Sequence, residues 1–136
     1  MATVLILEDD AAVRSLVALT LAPTGHRILE ARTAQEAHRW FEETDAGINL
    51  LITDLNLSNS CSGVRIALEF RSLLPFLRII VITGDPQSLW ADQDAAEFSE
   101  IPSDSVLILP KPFGAAALLR AVMRFVAPPM TAGSLR

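Results

Sequence analysis

Cysteine is nearly missing from this sequence: Cys61 is the only one in 136 residues. No disulfide can form within the chain, which suits a reducing compartment, so a cytoplasmic location is expected and Cys61 reads as a spectator thiol. Long apolar runs are missing too. No stretch nears the ~18 consecutive apolar residues that a membrane-spanning helix needs. The apolar opening Val4–Leu7 breaks at once into Glu8, Asp9 and Asp10, unlike a secretory leader. A soluble chain without membrane association is expected. Basic residues are the minority, 11 Lys and Arg against 16 Asp and Glu, for a net charge of −5. Nucleic-acid phosphates are held by clustered cations, so no direct contact with nucleic acid is expected. Histidine is scarce: His26 and His38 are the whole supply. Neither falls where a strand ends, so surface or packing roles are expected of both rather than proton transfer.

What is present is apolar. Hydrophobic residues make up 51% of the chain, enough for a folded core rather than a disordered segment. The length suits one domain, expected over residues 1–127. Residues 128–136, opening on Pro128-Pro129, read as a disordered tail.

Four short apolar runs stand out: Val4–Leu7, Leu50–Ile52, Ile79–Ile82 and Val106–Leu109. They lack alternating polar positions, as strands covered on both faces do. A weaker fifth, Arg27–Glu30, follows the turn signal Thr24-Gly25. Between the runs lie helical stripes: Val13, Leu16, Val17 and Leu21; Ala34, Ala37 and Phe41 with Trp40 beside them; Val64, Ala67, Leu68 and Leu74. Leu118, Leu119, Val122, Phe125 and Val126 form a last stripe after Gly114. These apolar faces exist to be buried. Strand–helix alternation repeated five times predicts an α/β fold, a parallel sheet with helices on both faces and right-handed crossovers.

In such sheets ligands bind beyond the carboxyl ends of the strands. Those ends carry Glu8, Asp9 and Asp10 on the first strand, Asp54 and Asn56 after "LLITDLN", Thr83 in "IIVITGD" and Lys111 in "LILPKPF". Two carboxylates about 5 Å apart repel by roughly 3 kcal/mol at an effective dielectric near 20. Several pairs around one pocket call for a cation, and hard oxygen ligands of this kind suit Mg²⁺. A bland alternative exists: acids before a helix also serve as caps. With a metal seated, Asp54 can accept a phosphoryl group covalently. Phosphoryl transfer demands positioning and charge neutralisation, which the Lys111 ammonium and the Thr83 hydroxyl can share.

At these residues the sequence resembles the receiver domain of two-component response regulators, over about Thr3 to Val126. The motifs are "LEDD", "LLITDLN", "VITG" and "KPF", in order and each at a strand end. The resemblance implies a flavodoxin-like (βα)5 doubly wound sheet of strand order 2-1-3-4-5. It implies Asp54 as phosphoacceptor, loaded by a sensor histidine kinase or a histidine phosphotransfer protein, with Thr83 as switch hydroxyl and Lys111 as the site lysine. It implies Mg²⁺ held by Glu8, Asp9, Asp54 and the backbone carbonyl of Asn56, and a cis Lys111–Pro112 bond. Asp10, one past the acidic pair, reads first as a helix cap. A stand-alone signalling phosphoacceptor follows. It catalyses only its own phosphorylation and dephosphorylation, passes its signal to an output partner by protein–protein contact, and would ordinarily be open to homodimerisation.

The departures are specific. Where relatives often carry an aromatic residue three before the lysine, this chain has Ile108, which has no ring to swing inward. Ser58 stands where many relatives have proline, within a polar loop "SNSCSG" expected to be flexible. Residues 84–105 are acidic and carry few large apolar side chains, Leu89, Trp90 and Phe98, so the fourth helix is expected to be short, shifted or mobile. These departures favour one alternative, a phosphorylation-independent docking protein on the same fold. A metal-dependent aspartyl-phosphate phosphatase ranks third, because Asn56 stands where such enzymes carry an acid able to transfer a proton.

Overall fold

The computed structural model describes residues 1–57 and 61–126, with Cys61 known by its backbone alone. The expectations for the loop around Ser58 and for the tail at 128–136 lie outside the described residues. In chain order the elements are β1 (Thr3–Leu7), α1 (Ala11–Leu21), β2 (Arg27–Ala31), α2 (Ala34–Glu43), β3 (Leu50–Asp54), β4 (Asn56–Leu57) and β5 (Cys61–Ser62). They continue with α3 (Gly63–Leu73), β6 (Arg78–Thr83), α4 (Asp92–Ser99), β7 (Val106–Pro110) and α5 (Ala115–Phe125).

Five strands form one parallel sheet in the order β2-β1-β3-β6-β7. This is the expected 2-1-3-4-5 order once the small ribbon is set aside. That ribbon pairs β4 with β5 antiparallel, Asn56 opposite Ser62 and Leu57 opposite Cys61. It brackets the polar loop and hangs off the sheet's carboxyl edge.

Period-2 alternation divides the apolar strands between two cores. Leu5, Leu7, Leu51, Ile79 and Val81 face one side, packed with Ala37, Val64, Ala67 and Phe70 of α2 and α3. Val4, Ile6, Leu50, Ile52, Ile80 and Ile82 face the other, packed with Val17, Leu21, Leu118 and Val122 of α1 and α5. The unbroken apolar spelling of the strands is thus explained by two covers rather than one. Leu16 departs from the expected stripe: it is 47% exposed, because Val17 and Leu21 already meet the sheet and Leu16 lies beyond the edge of that contact.

Local chemistry ends the helices where the sequence turns polar. Asp10 caps α1, its Oδ1 accepting from the Ala12 and Val13 N–H groups, and Thr33 caps α2 by accepting from the Glu36 N–H. α4 has eight residues and none of them is buried, in keeping with the short fourth helix read from its weak stripe. Arg71 and Arg78 donate to the Leu77 and Asp104 carbonyls, at 2.7 and 2.8 Å.

Candidate functional site

Register brings the candidate residues together. Leu7 pairs with Thr53 and Asp54 with Ile82, so Glu8, Asp54 and Thr83 leave three adjacent strands at nearly one level. Thr83 pairs with Pro110, and the Lys111 N–H donates to the Thr83 carbonyl at 2.9 Å. The Lys111–Pro112 bond that follows is cis.

Glu8 is the centre of the cluster and is fully buried. Its Oε2 accepts from the Asp10 N–H at 3.2 Å. Its Oε1 is buried and accepts no hydrogen bond from the described residues. The Lys111 Nζ lies 3.4 Å from that Oε1 and 3.4 Å from Oδ2 of Asp54. Carboxylate oxygens of Glu8, Asp9 and Asp54 all lie within 4.8 Å of one another. Of the three neighbouring acids at the end of β1, Asp10 is the one spent on the helix cap.

The charges answer this crowding. Burial pushes the Glu8 carboxyl up to about 7 and the Asp54 charge adds to the rise, while the Asp10 N–H and the Lys111 charge oppose it. Desolvation works to lower Lys111, but Asp54 and Glu8 outweigh it and hold the ammonium above its ordinary value. A compact divalent cation fits here on the chemistry of the donors. Three hard carboxylates converge, and one buried oxygen among them accepts no hydrogen bond from the described residues.

Thr83 is buried at the neighbouring strand end, and its Oγ1 accepts from the Asp85 N–H at 3.0 Å. A hydroxyl used as acceptor still has a proton to donate. Asn56 opens β4, and its Nδ2 lies 3.4 Å from Oδ2 of Asp85. His26 is buried and accepts from the Ala2 N–H through Nδ1 at 3.1 Å. His38 lies between α2 and α3. Neither is among the residues gathered here.

Four supporting features escaped the sequence reading. Gly63, the first residue of α3, sits so close to β3 that a Cβ would overlap the Asp54 carbonyl oxygen. Its N–H donates to the Leu55 carbonyl at 2.8 Å. Thr53, fully buried, donates through Oγ1 to the same Asp54 carbonyl at 3.0 Å. Arg14 donates to the Glu8 carbonyl at 2.9 Å and places its Nε 3.4 Å from Oε1 of Glu30. The fourth was open to a simple count: Lys111 is the only lysine, every other basic side chain being arginine or histidine. For Gly63 the visible cue was glycine opening an apolar helical stripe; Thr53 and Arg14 left none.

Known proteins are similar to this chain. A family model described as response regulator receiver domain matches residues 4–123. The DNA-binding transcriptional regulator NtrC of Azospirillum brasilense is 31% identical over 123 residues, covering 90% of this chain and 24% of its own. The phosphate regulon transcriptional regulatory protein PhoB of Pseudomonas aeruginosa is 28% identical over 129 residues, 93% of this chain and 53% of that one. The chain thus spans about a quarter to a half of the length of these relatives. The chemotaxis protein CheY4 of Vibrio cholerae has the same fold, with a TM-score of 0.76 at 23% identity over 93% of this chain and 99% of its own. With a matched model running from β1 into α5 and a flavodoxin-like sheet ending in this acidic cluster, the chain belongs to the family of response regulator receiver domains.

Proposed function

We propose that this receiver domain is a phosphoacceptor of a two-component phosphorelay and that Asp54 carries the phosphoryl group. The observation that carries the reading is one lysine amine held 3.4 Å from both Asp54 and the buried Glu8, inside a cluster of three acids. An Asp54 oxygen bonds to phosphorus as the P–N bond of a phosphohistidine breaks. The bonding pair leaves with the imidazole, which takes its proton from solvent. The donor is a sensor histidine kinase or a histidine phosphotransfer protein. Water later cleaves the acyl phosphate and restores the carboxylate. No metabolite is turned over.

Each residue has a part in this transfer. Glu8, Asp9, Asp54 and the Asn56 backbone carbonyl would hold Mg²⁺, which when bound would supply positive charge against the oxygens of the incoming group. Lys111 balances charge on another side as a compact ammonium. The Thr83 hydroxyl donates to a phosphoryl oxygen. The work is done in the cytoplasm, and the signal leaves through contact with an output partner or a second copy of the chain.

Acetyl phosphate with Mg²⁺ should add the mass of one phosphoryl group to the protein. The gain should vanish in Asp54→Asn and when Mg²⁺ is chelated. An equal gain in Asp54→Asn would sink the proposal. One observation favours a second reading, a docking protein indifferent to phosphate: Ile108 offers no ring and packs, half-buried, against the core. Partner binding unchanged by Asp54→Asn would support that reading.

A further inference from the structure

The segment from Gly84 to Ser99 is nearly all surface. Gly84 through Leu89 are exposed and α4 buries none of its residues, yet Trp90 between them is only 7% exposed. Trp90 therefore anchors the segment, packed in the core that also holds Ile101 and Val106. Its indole N–H donates to the Asp85 carbonyl at 3.2 Å. Its ring meets Phe98 of α4 edge-on, centroids 5.1 Å apart. Asp85 in turn donates its N–H to the Thr83 hydroxyl oxygen at 3.0 Å, and its carboxylate lies 3.4 Å from Asn56 Nδ2. An unbroken path thus runs from Thr83 through Asp85 and Trp90 to α4.

We propose that Trp90 is the positioning residue that couples the Thr83 hydroxyl to α4, in place of an aromatic ring at Ile108. This rests on the phosphoacceptor reading above. When Thr83 turns its hydroxyl toward a phosphoryl oxygen, its oxygen shifts relative to the Asp85 N–H. The Asp85 peptide moves with it, because Asp85 is two residues away and holds the indole through its carbonyl. Trp90 has few alternatives, since its N–H is an obligate donor and a buried one left without an acceptor is disfavoured. The ring moves with its acceptor, and α4, which Phe98 joins to that ring, follows. A helix with no buried residue of its own offers little resistance.

Two measurements test this, each beside intact-mass determination of the phosphorylated fraction. In Trp40→Phe, Trp90 is the sole tryptophan. Acetyl phosphate with Mg²⁺ should shift its emission in proportion to that fraction. At equal phosphorylation the shift should be lost in Thr83→Ala and restored in Thr83→Ser. In the protein with Trp40 retained, phosphorylation should change hydrogen exchange of the α4 amides. Trp90→Phe keeps a ring against Phe98 but removes the donor, and should take up phosphate as before while losing that change. Phosphorylation with no emission shift, a shift that persists in Thr83→Ala, or an α4 response retained in Trp90→Phe overturns the coupling alone. Absence of any phosphoryl mass overturns the phosphoacceptor reading and the coupling with it.

Discussion

A single hydrogen atom decides how β3 meets α3. Gly63 lies where any side chain would strike the Asp54 carbonyl oxygen, and backbone cannot swing aside as the end of a flexible side chain can. Gly63→Ala is expected to cost about 1–3 kcal/mol by overpacking, read as a lowered denaturation midpoint. It should also slow phosphoryl uptake from acetyl phosphate, because the peptide that must move belongs to Asp54 itself. Lys111 invites a different measurement. As the only lysine, it is the sole side-chain amine that acylating reagents can reach. Its contacts with Glu8 and Asp54 hold it protonated, and an ammonium is not a nucleophile. Acetylation by an anhydride, followed by peptide mass, should therefore be slow at Lys111 and faster in Asp54→Asn, which removes the carboxylate charge that contributes most to that hold. Equal rates would show that Asp54 does not govern the amine.

At the scale of elements, α2 and α3 are tied by His38. Its Nδ1 faces the Ala34 carbonyl at 2.8 Å and its Nε2 the Glu69 carboxylate at 2.7 Å. Both ring nitrogens meet acceptors, so the doubly protonated form satisfies both. Desolvation lowers the His38 pKa, but the Glu69 and Ala34 hydrogen bonds and the charges of Glu69 and Glu42 outweigh it, and the net shift is upward. A group whose pKa is raised on folding adds stability that is whole below its unfolded value and is lost as pH climbs through its folded value. The stability difference between the native protein and His38→Gln should therefore be largest near pH ~5.5 and shrink toward pH ~8.5. Beneath this pair lies Phe70, 1% exposed, edge-on to His38 and tilted against Phe41. Phe70→Ala should cost about 3–5 kcal/mol by urea denaturation.

For the whole molecule, the acidic edge is a cost that the fold carries. Carboxylates of Glu8, Asp9 and Asp54 approach within 4.8 Å, with one ammonium beside two of them. In chelator, Asp9→Asn should raise the thermal midpoint by removing one repelling charge. Added Mg²⁺ should raise the midpoint of the native protein, by about 2.7 kcal/mol of stability at a hundredfold excess over its dissociation constant. Asp9→Asn should respond far less. An equal response in both would remove Asp9 from the proposed ligand set.

Much of the architecture follows from local spelling. Apolar runs without polar alternation read as strands covered twice, and the polar residues that end them are set by chain position alone, so the strands and the acids at their ends were legible before any coordinates, while the sheet order came from the resemblance to receiver domains. The rest depends on residues far apart in sequence meeting side by side. Which acid of Glu8, Asp9 and Asp10 is buried and which caps a helix, how tightly Gly63 presses on Asp54, why Leu16 faces solvent and how Thr83 connects to Trp90 are all decided by register and packing. Composition and periodicity carry the direction of a side chain within its own element. They do not carry the distance to another element, and electrostatics at a site is a matter of that distance.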